Sequence, residues 1–327
     1  MYIKDPIYGL IKVSEICKKF IDTPEFQRLK RVRQLGMTPE VFPSGVHSRA
    51  EHCLGVMHIS GEYFRYLIIN SDEKWKKYSI YQSIIEIAGL LHDIGHGPKS
   101  HLFEEAMKIR DIKFSHEEFS AQLIERINNR LNILNDEEVM LIKNIILGKK
   151  VENYPPFLFE IVSNKDSGLD TDKMDYLRRD AWHLGMPVIS VDYIIKHCKI
   201  DKYGHVSYSE KTINDIRAIF TTRKNMFQQV YFHKTVAKID KMMICAICQI
   251  PIDENDPDIF LKLDDGYLEY LIRYELKHDI IRCLDNRELD HNCPECPGIK
   301  LKRTAKLSGD TDDDPLLYVR FYDREKK

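Results

Sequence analysis

Apolar residues recur along most of this chain at helical spacing, so the pattern predicts a mainly α fold. Ile84, Ile85, Ile87, Ala88, Leu90 and Leu91 leave almost no polar face between Ser83 and Leu91, as in a helix buried on all sides. Gly95, Gly97 and Pro98 end it. Asp22-Thr23-Pro24-Glu25 opens a helix with proline near its first turn. Ser115-His116-Glu117-Glu118 has the form of a capping box, which puts His116 in the first turn of the next helix. Further helices are expected from near Asp136, from Asp172 to Leu184 with a stop at Gly185, and as one long rod from Asn214 to about Ile250. Asp5-Pro6-Ile7-Tyr8-Gly9 reads as a turn, and Lys202-Tyr203-Gly204-His205 as the turn of a small hairpin. Past residue 250 the character changes. An acidic loop, Asp310-Thr311-Asp312-Asp313-Asp314, precedes Leu316–Tyr322, which predicts a terminal strand. The organisation expected is a helical bundle with small β-hairpins over 1–250 and a short mixed C-terminal region over 251–327.

Composition narrows the function classes. The chain has 327 residues and 43% hydrophobic content, enough for a substantial core. Its formal net charge of −2 gives no global pull toward nucleic acid or anionic membrane. Anion binding must come from local clusters, and Arg28-Leu29-Lys30-Arg31-Val32-Arg33 is one, either a solvated helix face or a surface for phosphates. No apolar run reaches the ~18 residues of a membrane span, and Met1–Pro6 has no signal-peptide core. The expectation is a soluble, intracellular protein of the cytoplasm or nucleus, with mostly reduced cysteines. Cys17, Cys53 and Cys198 sit singly in apolar contexts, as buried small hydrophobes do. Two C-x-x-C pairs remain. Cys245 and Cys248 fall in a helical apolar pattern and read as core, whereas Cys293-Pro294-Glu295-Cys296 is loop-like and could be a knuckle for structural zinc.

The chemistry concentrates at His92-Asp93. Adjacent imidazole and carboxylate suit a divalent metal. The dipeptide is weak by itself, since one His or Asp at a helix end is usually a cap or a satisfied hydrogen-bond partner. However, His92–His101 holds three histidines in ten residues, with glycines that let backbone approach a ligand. His52 upstream and Asp172 downstream make a possible four-ligand set. Arg49 and His52 are i, i+3 and share a helix face. Asp172, Tyr176 and Asp180 form an i, i+4, i+8 stripe with Lys173 beside it, and Arg223, Phe227 and Tyr231 form another. Such stripes mix charge with aromatics, which fits neither a solvated face nor a core face but does fit a cleft lining.

These stretches resemble the HD-domain phosphohydrolase superfamily, and within it the SAM-and-HD-domain deoxynucleoside triphosphate triphosphohydrolases. The resemblance is carried, in the family's order over roughly residues 1–240, by Asp5-Pro6-Ile7-Tyr8-Gly9, Ile21–Leu29, Gln34-Leu35-Gly36, Val41-Phe42-Pro43, His47–Val56, Ala88–Pro98, Ser115-His116-Glu117, Ile161–Lys165, Asp170–Tyr176 and Tyr231-Phe232-His233-Lys234. It implies an HD-domain helical bundle over 1–250. It also implies metal ligation by His52, His92, Asp93 and Asp172, with Fe, Mn, Zn or Mg as the ion and a second Mg accompanying the substrate. The implied reaction is water attack on the α-phosphorus of a dNTP, giving deoxynucleoside and triphosphate. His96, His101 and His116 would surround that phosphate, with His101 as general acid and Glu104 orienting it. Arg49, Lys173 and Arg223 would contact the triphosphate, Tyr176 and Asp180 the sugar 3′-hydroxyl, and Gln34, Leu35 and Tyr231 the sugar walls. A homodimer or homotetramer is implied as well.

The chain also departs from that pattern. No segment matching a SAM domain precedes Asp5-Pro6, and a shorter, cysteine-bearing tail stands where the family has a C-terminal lobe. The nucleotide-activated relatives use an Asn before the Asp-Pro and an Arg in the following Gln-Arg-Leu-Arg. Here Lys4 and Lys30 occupy those positions, while Asp22 and Gln27 persist, so activation by guanine nucleotide is not implied. Phe232 stands where the family has a polar residue near the base. Two other classes stay open on sequence alone. One is an HD phosphohydrolase for monophosphates, cyclic nucleotides or alarmones. The other is a nucleic-acid-binding regulatory module using Arg28–Arg33, which would show a steep salt dependence.

Overall fold

The computed structural model describes residues 1–251, 257–276, 279–289 and 314–323. An antiparallel hairpin, β1 (Tyr2–Asp5) and β2 (Gly9–Lys12), opens the chain. Its turn is fixed by Asp5 Oδ1, which accepts from the backbone N–H of Ile7 (2.8 Å) and Tyr8 (3.0 Å), and by Gly9 at φ 75°. Helices α1 (Glu15–Ile21) and α2 (Pro24–Arg28) follow, the second capped by Thr23 with Pro24 at its start.

The long helix α3 (Arg49–Asn70) is the axis of the molecule. Ser48 and Glu51 form a reciprocal capping box that sets its first turn, and so fixes where Arg49 and His52 point. After the short α4 (Glu73–Lys76), α5 (Gln82–Leu91) packs along α3, with all of Ile84, Ile85, Ile87, Ala88, Gly89, Leu90 and Leu91 buried. Their crossing is close because Gly89 has no Cβ. One built there would meet Val56 O at 2.9 Å. The buried apolar run ends at His92, as the periodicity predicts.

Next come α6 (His101–Ile109), α7 (His116–Leu131, capped by Ser115) and α8 (Asp136–Leu147, capped by Asn135). The helix α9 (Thr171–His183) also packs against α3 and is followed by Gly185 at φ 65°. After α10 (Asp192–Lys196), β3 (Cys198–Ile200) and β4 (Val206–Ser209) form the expected hairpin. Buried Glu160 joins it to the body, accepting from His205 Nδ1 (2.6 Å) and Val206 N (2.9 Å).

Two expectations are corrected. The rod expected from Asn214 to Ile250 is two helices, α11 (Ile213–Met226) and α12 (Lys234–Gln249). Between them Phe227–Tyr231 is a π turn, and the His233 side chain accepts from Thr235 N to cap α12. A π turn inserts one residue relative to α spacing, which hydrophobic periodicity does not register. The terminal strand shrinks to β5 (Phe321–Tyr322), parallel to β4. Pro315–Tyr318 is instead a 3₁₀ turn, because Pro315 presets a helical φ and Asp314 Oδ1 accepts from Leu316 N.

Helices α13 (Pro257–Lys262), α14 (Asp265–Tyr270) and α15 (Ile280–Asp285) return to the body. Buried Arg28 donates to Leu263 O (2.9 Å), and Arg31 pairs with Asp264. The basic cluster is thus divided: Arg28 is structural, Arg31 is paired, and Lys30 is exposed. Cys245 is buried in α12, as expected of a core residue, whereas Cys248 is half-buried against the core, its thiol donating to Ala106 O (3.6 Å). Cys293, Cys296 and Asp310–Asp313 lie outside the described residues.

Candidate active site and metal centre

Three helix segments bring four side chains to one point. His52 comes from the first turn of α3, His92 and Asp93 from the end of α5, and Asp172 from the start of α9. The Nε2 atoms of His52 and His92 are 3.2 Å apart. Asp172 Oδ1 is 3.1 Å from His52 Nε2 and 3.6 Å from His92 Nε2. The Asp93 carboxylate lies 3.5 Å from each imidazole. The far sides of both rings are occupied: His52 Nδ1 donates to Asp175 Oδ2 (2.8 Å) and His92 Nδ1 to Gly89 O (2.8 Å).

With both Nδ1–H groups donating, both Nε2 atoms face the same space between two carboxylates. Burial opposes charge on these imidazoles, but the surrounding carboxylates raise His52 to about 10 and raise His92 as well, so without a metal they favour a proton on each Nε2. Two imidazoles and two carboxylates converging in a buried site call for positive charge between them, and a divalent metal would supply it in place of those protons. Burial alone would raise the Asp93 and Asp172 carboxyls, but the neighbouring cationic and hydrogen-bonding groups hold both well below the usual carboxylate range. For Asp93 these are His92 and Arg49; for Asp172, hydrogen bonds from His52 and His92. Both therefore stand ready as anionic ligands.

Asp175 was not singled out from sequence, yet it anchors the site. It receives His52 on one side and the Arg179 guanidinium on the other (2.9 and 3.0 Å), and Arg179 reaches Asp5 Oδ2 (2.8 Å). Gly55, one turn along α3 from His52, makes room: a Cβ there would sit 2.0 Å from Asp175 Oδ1.

Asp93 and Asp172 also line a cavity of about 500 Å3, a volume suited to a small-molecule ligand. Arg49, Lys173, Tyr176, Asp180, Arg223, Tyr231, Gln34 and Leu35 all line it, as do His96, His101 and His116. Glu104 sits just behind. Arg49 donates to Ser100 Oγ (2.9 Å) and pairs with Asp93, so its charge is shared with the metal site. Lys173 Nζ pairs with Asp170 Oδ2 at 3.0 Å. Asp180 accepts from Tyr231 (2.5 Å) and contacts His47 Nε2 (2.7 Å), another residue with no role assigned from sequence.

The three histidines form one group: His96 and His116 stack at 3.9 Å, and His101 meets them edge-on at 4.9 and 5.3 Å. Burial, then the charges of Arg49 and His116, push His96 well below the ordinary imidazole value, so it is neutral near pH 7. Glu104 Oε2 is 2.9 Å from His116 Nδ1 and 3.6 Å from His101 Nδ1. Burial would raise that carboxyl, but hydrogen bonds from both histidines hold it down as an anion. It orients His116 more closely than His101, which is 68% exposed at the cavity mouth.

Residues 49–154 match the HD domain family, a span that contains His52, His92, Asp93, the three histidines and Glu104. The chain is 33% identical over 320 residues to "Deoxynucleoside triphosphate triphosphohydrolase SAMHD1" of Bos taurus, covering 88% of this chain and 51% of that protein. The chain belongs to the HD-domain superfamily. Within it, the human SAMHD1 triphosphohydrolase is 33% identical over 88% of this chain and 48% of its own length. The Dictyostelium discoideum SAMHD1 homolog is 31% identical, over 88% and 59%. This HD-domain chain thus spans about half the length of the curated relatives it matches. Asp172 lies beyond the family match and is joined to it by the fold, through α9. No helix among the described residues is long and apolar enough to cross a membrane.

Proposed function

We propose that the chain hydrolyses deoxynucleoside triphosphates to deoxynucleoside and inorganic triphosphate, using a divalent metal held by His52, His92, Asp93 and Asp172. The observation carrying this reading is the convergence of that donor set on the wall of a cavity whose other walls hold cations, hydroxyls and aromatic rings. The names of its relatives, deoxynucleoside triphosphate triphosphohydrolases, support the same substrate class. A bound divalent ion would supply Lewis acidity beside a phosphoryl group and lower the pKa of a nearby water.

The chain's own residues supply the rest. Arg49, Lys173 and Arg223 offset the concentrated triphosphate charge. His101, exposed at the cavity mouth, donates the proton that the 5′-oxygen needs as its bond to the α-phosphorus breaks. His116, fixed by Glu104, and neutral His96 line the same wall and offer polar N–H groups to the phosphate. Asp180, held by His47 and Tyr231, and Tyr176 offer partners for the sugar 3′-hydroxyl. Gln34, Leu35 and Tyr231 close around the sugar ring, where a 2′-hydroxyl would meet a wall.

The test is a panel of the four dNTPs incubated with the Mn-, Fe-, Zn- or Mg-loaded protein, with and without GTP, and product identification by mass spectrometry. Triphosphate and deoxynucleoside are expected, and both should vanish in a His92→Ala/Asp93→Ala variant. Release of orthophosphate or pyrophosphate would assign the site to another kind of phosphohydrolase.

A further inference from the structure

Two consecutive residues at the cavity wall hold a backbone conformation that residues with a Cβ seldom adopt. Lys99 has φ 58° and Ser100 has φ 59° with ψ −125°. Both are buried. Such a bend persists only where its surroundings impose it. It is also in a sensitive place. Ser100 Oγ accepts from Arg49 Nε (2.9 Å) and donates to Arg33 O (2.6 Å), and the next residue, His101, opens α6.

A group bonded to the bend comes from the far C-terminal part of the chain. Asp265, buried at the start of α14, accepts from Lys99 N through Oδ1 (2.7 Å) and from Arg33 N through Oδ2 (3.3 Å). The buried Lys99 ammonium lies between Asp265 Oδ2 (3.6 Å) and Glu269 Oε1 (2.5 Å). Alongside, Arg28 links Leu263 O to Ile94 O (3.1 Å) and His96 O (2.5 Å). One carboxylate therefore ties together the two backbone segments that flank the cavity: 33–36, which carries Gln34 and Leu35, and 99–101, which carries Arg49's anchor and His101.

We propose that Asp265 is a positioning residue for this site: by bridging the Lys99 and Arg33 amides it holds Ser100, and through it Arg49 and His101, in working register with Gln34 and Leu35. The proposal rests on the phosphohydrolase reading for its kinetic consequence but not for its structural one. Asp265 touches none of the four metal-binding side chains, so its loss should leave metal binding intact and misplace the groups around the substrate.

The test compares Asp265→Ala and Asp265→Asn with the wild-type full chain. Three quantities are read: Mn content per molecule, kcat and KM on a dNTP, and hydrogen exchange of peptides spanning 97–102 and 50–60. For Asp265→Ala the expectation is unchanged Mn content and a kcat/KM loss of about 100-fold, as for a misplacement near 1 Å. Exchange should be faster at 97–102 and unchanged at 50–60. Asp265→Asn keeps one carbonyl oxygen for the Lys99 amide and should recover about tenfold of that loss. It also carries the test if the alanine variant does not fold. Kinetic constants within about twofold of wild type, with only a lower thermal midpoint, would overturn the proposal. If wild type turns over no dNTP, the phosphohydrolase reading fails separately. Exchange still decides the clamp, because unchanged protection at 97–102 in Asp265→Ala would overturn it.

Discussion

At one end of the cavity both histidines of the proposed metal site are held from behind. His52 leans on Asp175, which leans on Arg179 and through it on Asp5, and His92 leans on Gly89 O. At the other end Arg223 sits 4.8 Å over the ring of Phe227, and Phe227 meets Tyr231 and Phe232 edge-on, on a helix interrupted by a π turn. The first end is a rigid electrostatic lattice; the second is a surface of rings. A metal needs ligand atoms fixed to within tenths of an ångström, so its support is built from buried charges. A flat, apolar ligand face needs only area and shape, and rings on adjacent turns provide both.

Breaking the rigid end should have the largest effect. His92→Ala/Asp93→Ala removes two of four ligands, and activity should fall on the order of 1,000-fold or more, with loss of Mn binding by titration. Asp175→Asn leaves all four ligands in place but removes an oxygen from His52 and Arg179. Metal affinity or turnover should drop about 10–100-fold, measured by competition with a chelator and by kcat. Gly55→Ala drives a Cβ into Asp175 and should cost about 1–3 kcal/mol in denaturant unfolding. At the aromatic end the effects should be smaller and of another kind. Phe232→Gln should change the ratio of kcat/KM between purine and pyrimidine dNTPs by about tenfold or less, with metal affinity unchanged. If Phe232→Gln weakened metal binding as Asp175→Asn does, the two ends would not be separate.

The rigid end was legible in the sequence because its chemistry demands particular residue types at particular intervals. His92-Asp93 at the end of an apolar helix, His52 three residues from Arg49, and the Asp172–Tyr176–Asp180 stripe all line up as helical spacing implies. The supports were less legible. Asp175 lies among three aspartates in Asp170–Asp175, and spacing alone does not say which faces the proposed metal position and which faces a histidine from behind. His47 and Ser100 act through a single hydrogen-bonding atom and leave no periodic trace. The π turn at Phe227–Tyr231 was missed because it preserves helical composition while changing the register by one residue. Asp265 contacts Lys99 across more than 160 positions, a separation that only the folded chain reveals.

The central claim is that water attacks the α-phosphorus of a dNTP beside the His52, His92, Asp93 and Asp172 cluster. The most direct measurement is a single turnover of dATP in ¹⁸O-labelled water, with mass analysis of both products. The account predicts one ¹⁸O in the inorganic triphosphate and none in the deoxynucleoside. Label in the deoxynucleoside, or recovery of the label in orthophosphate or pyrophosphate with no triphosphate formed, would contradict it.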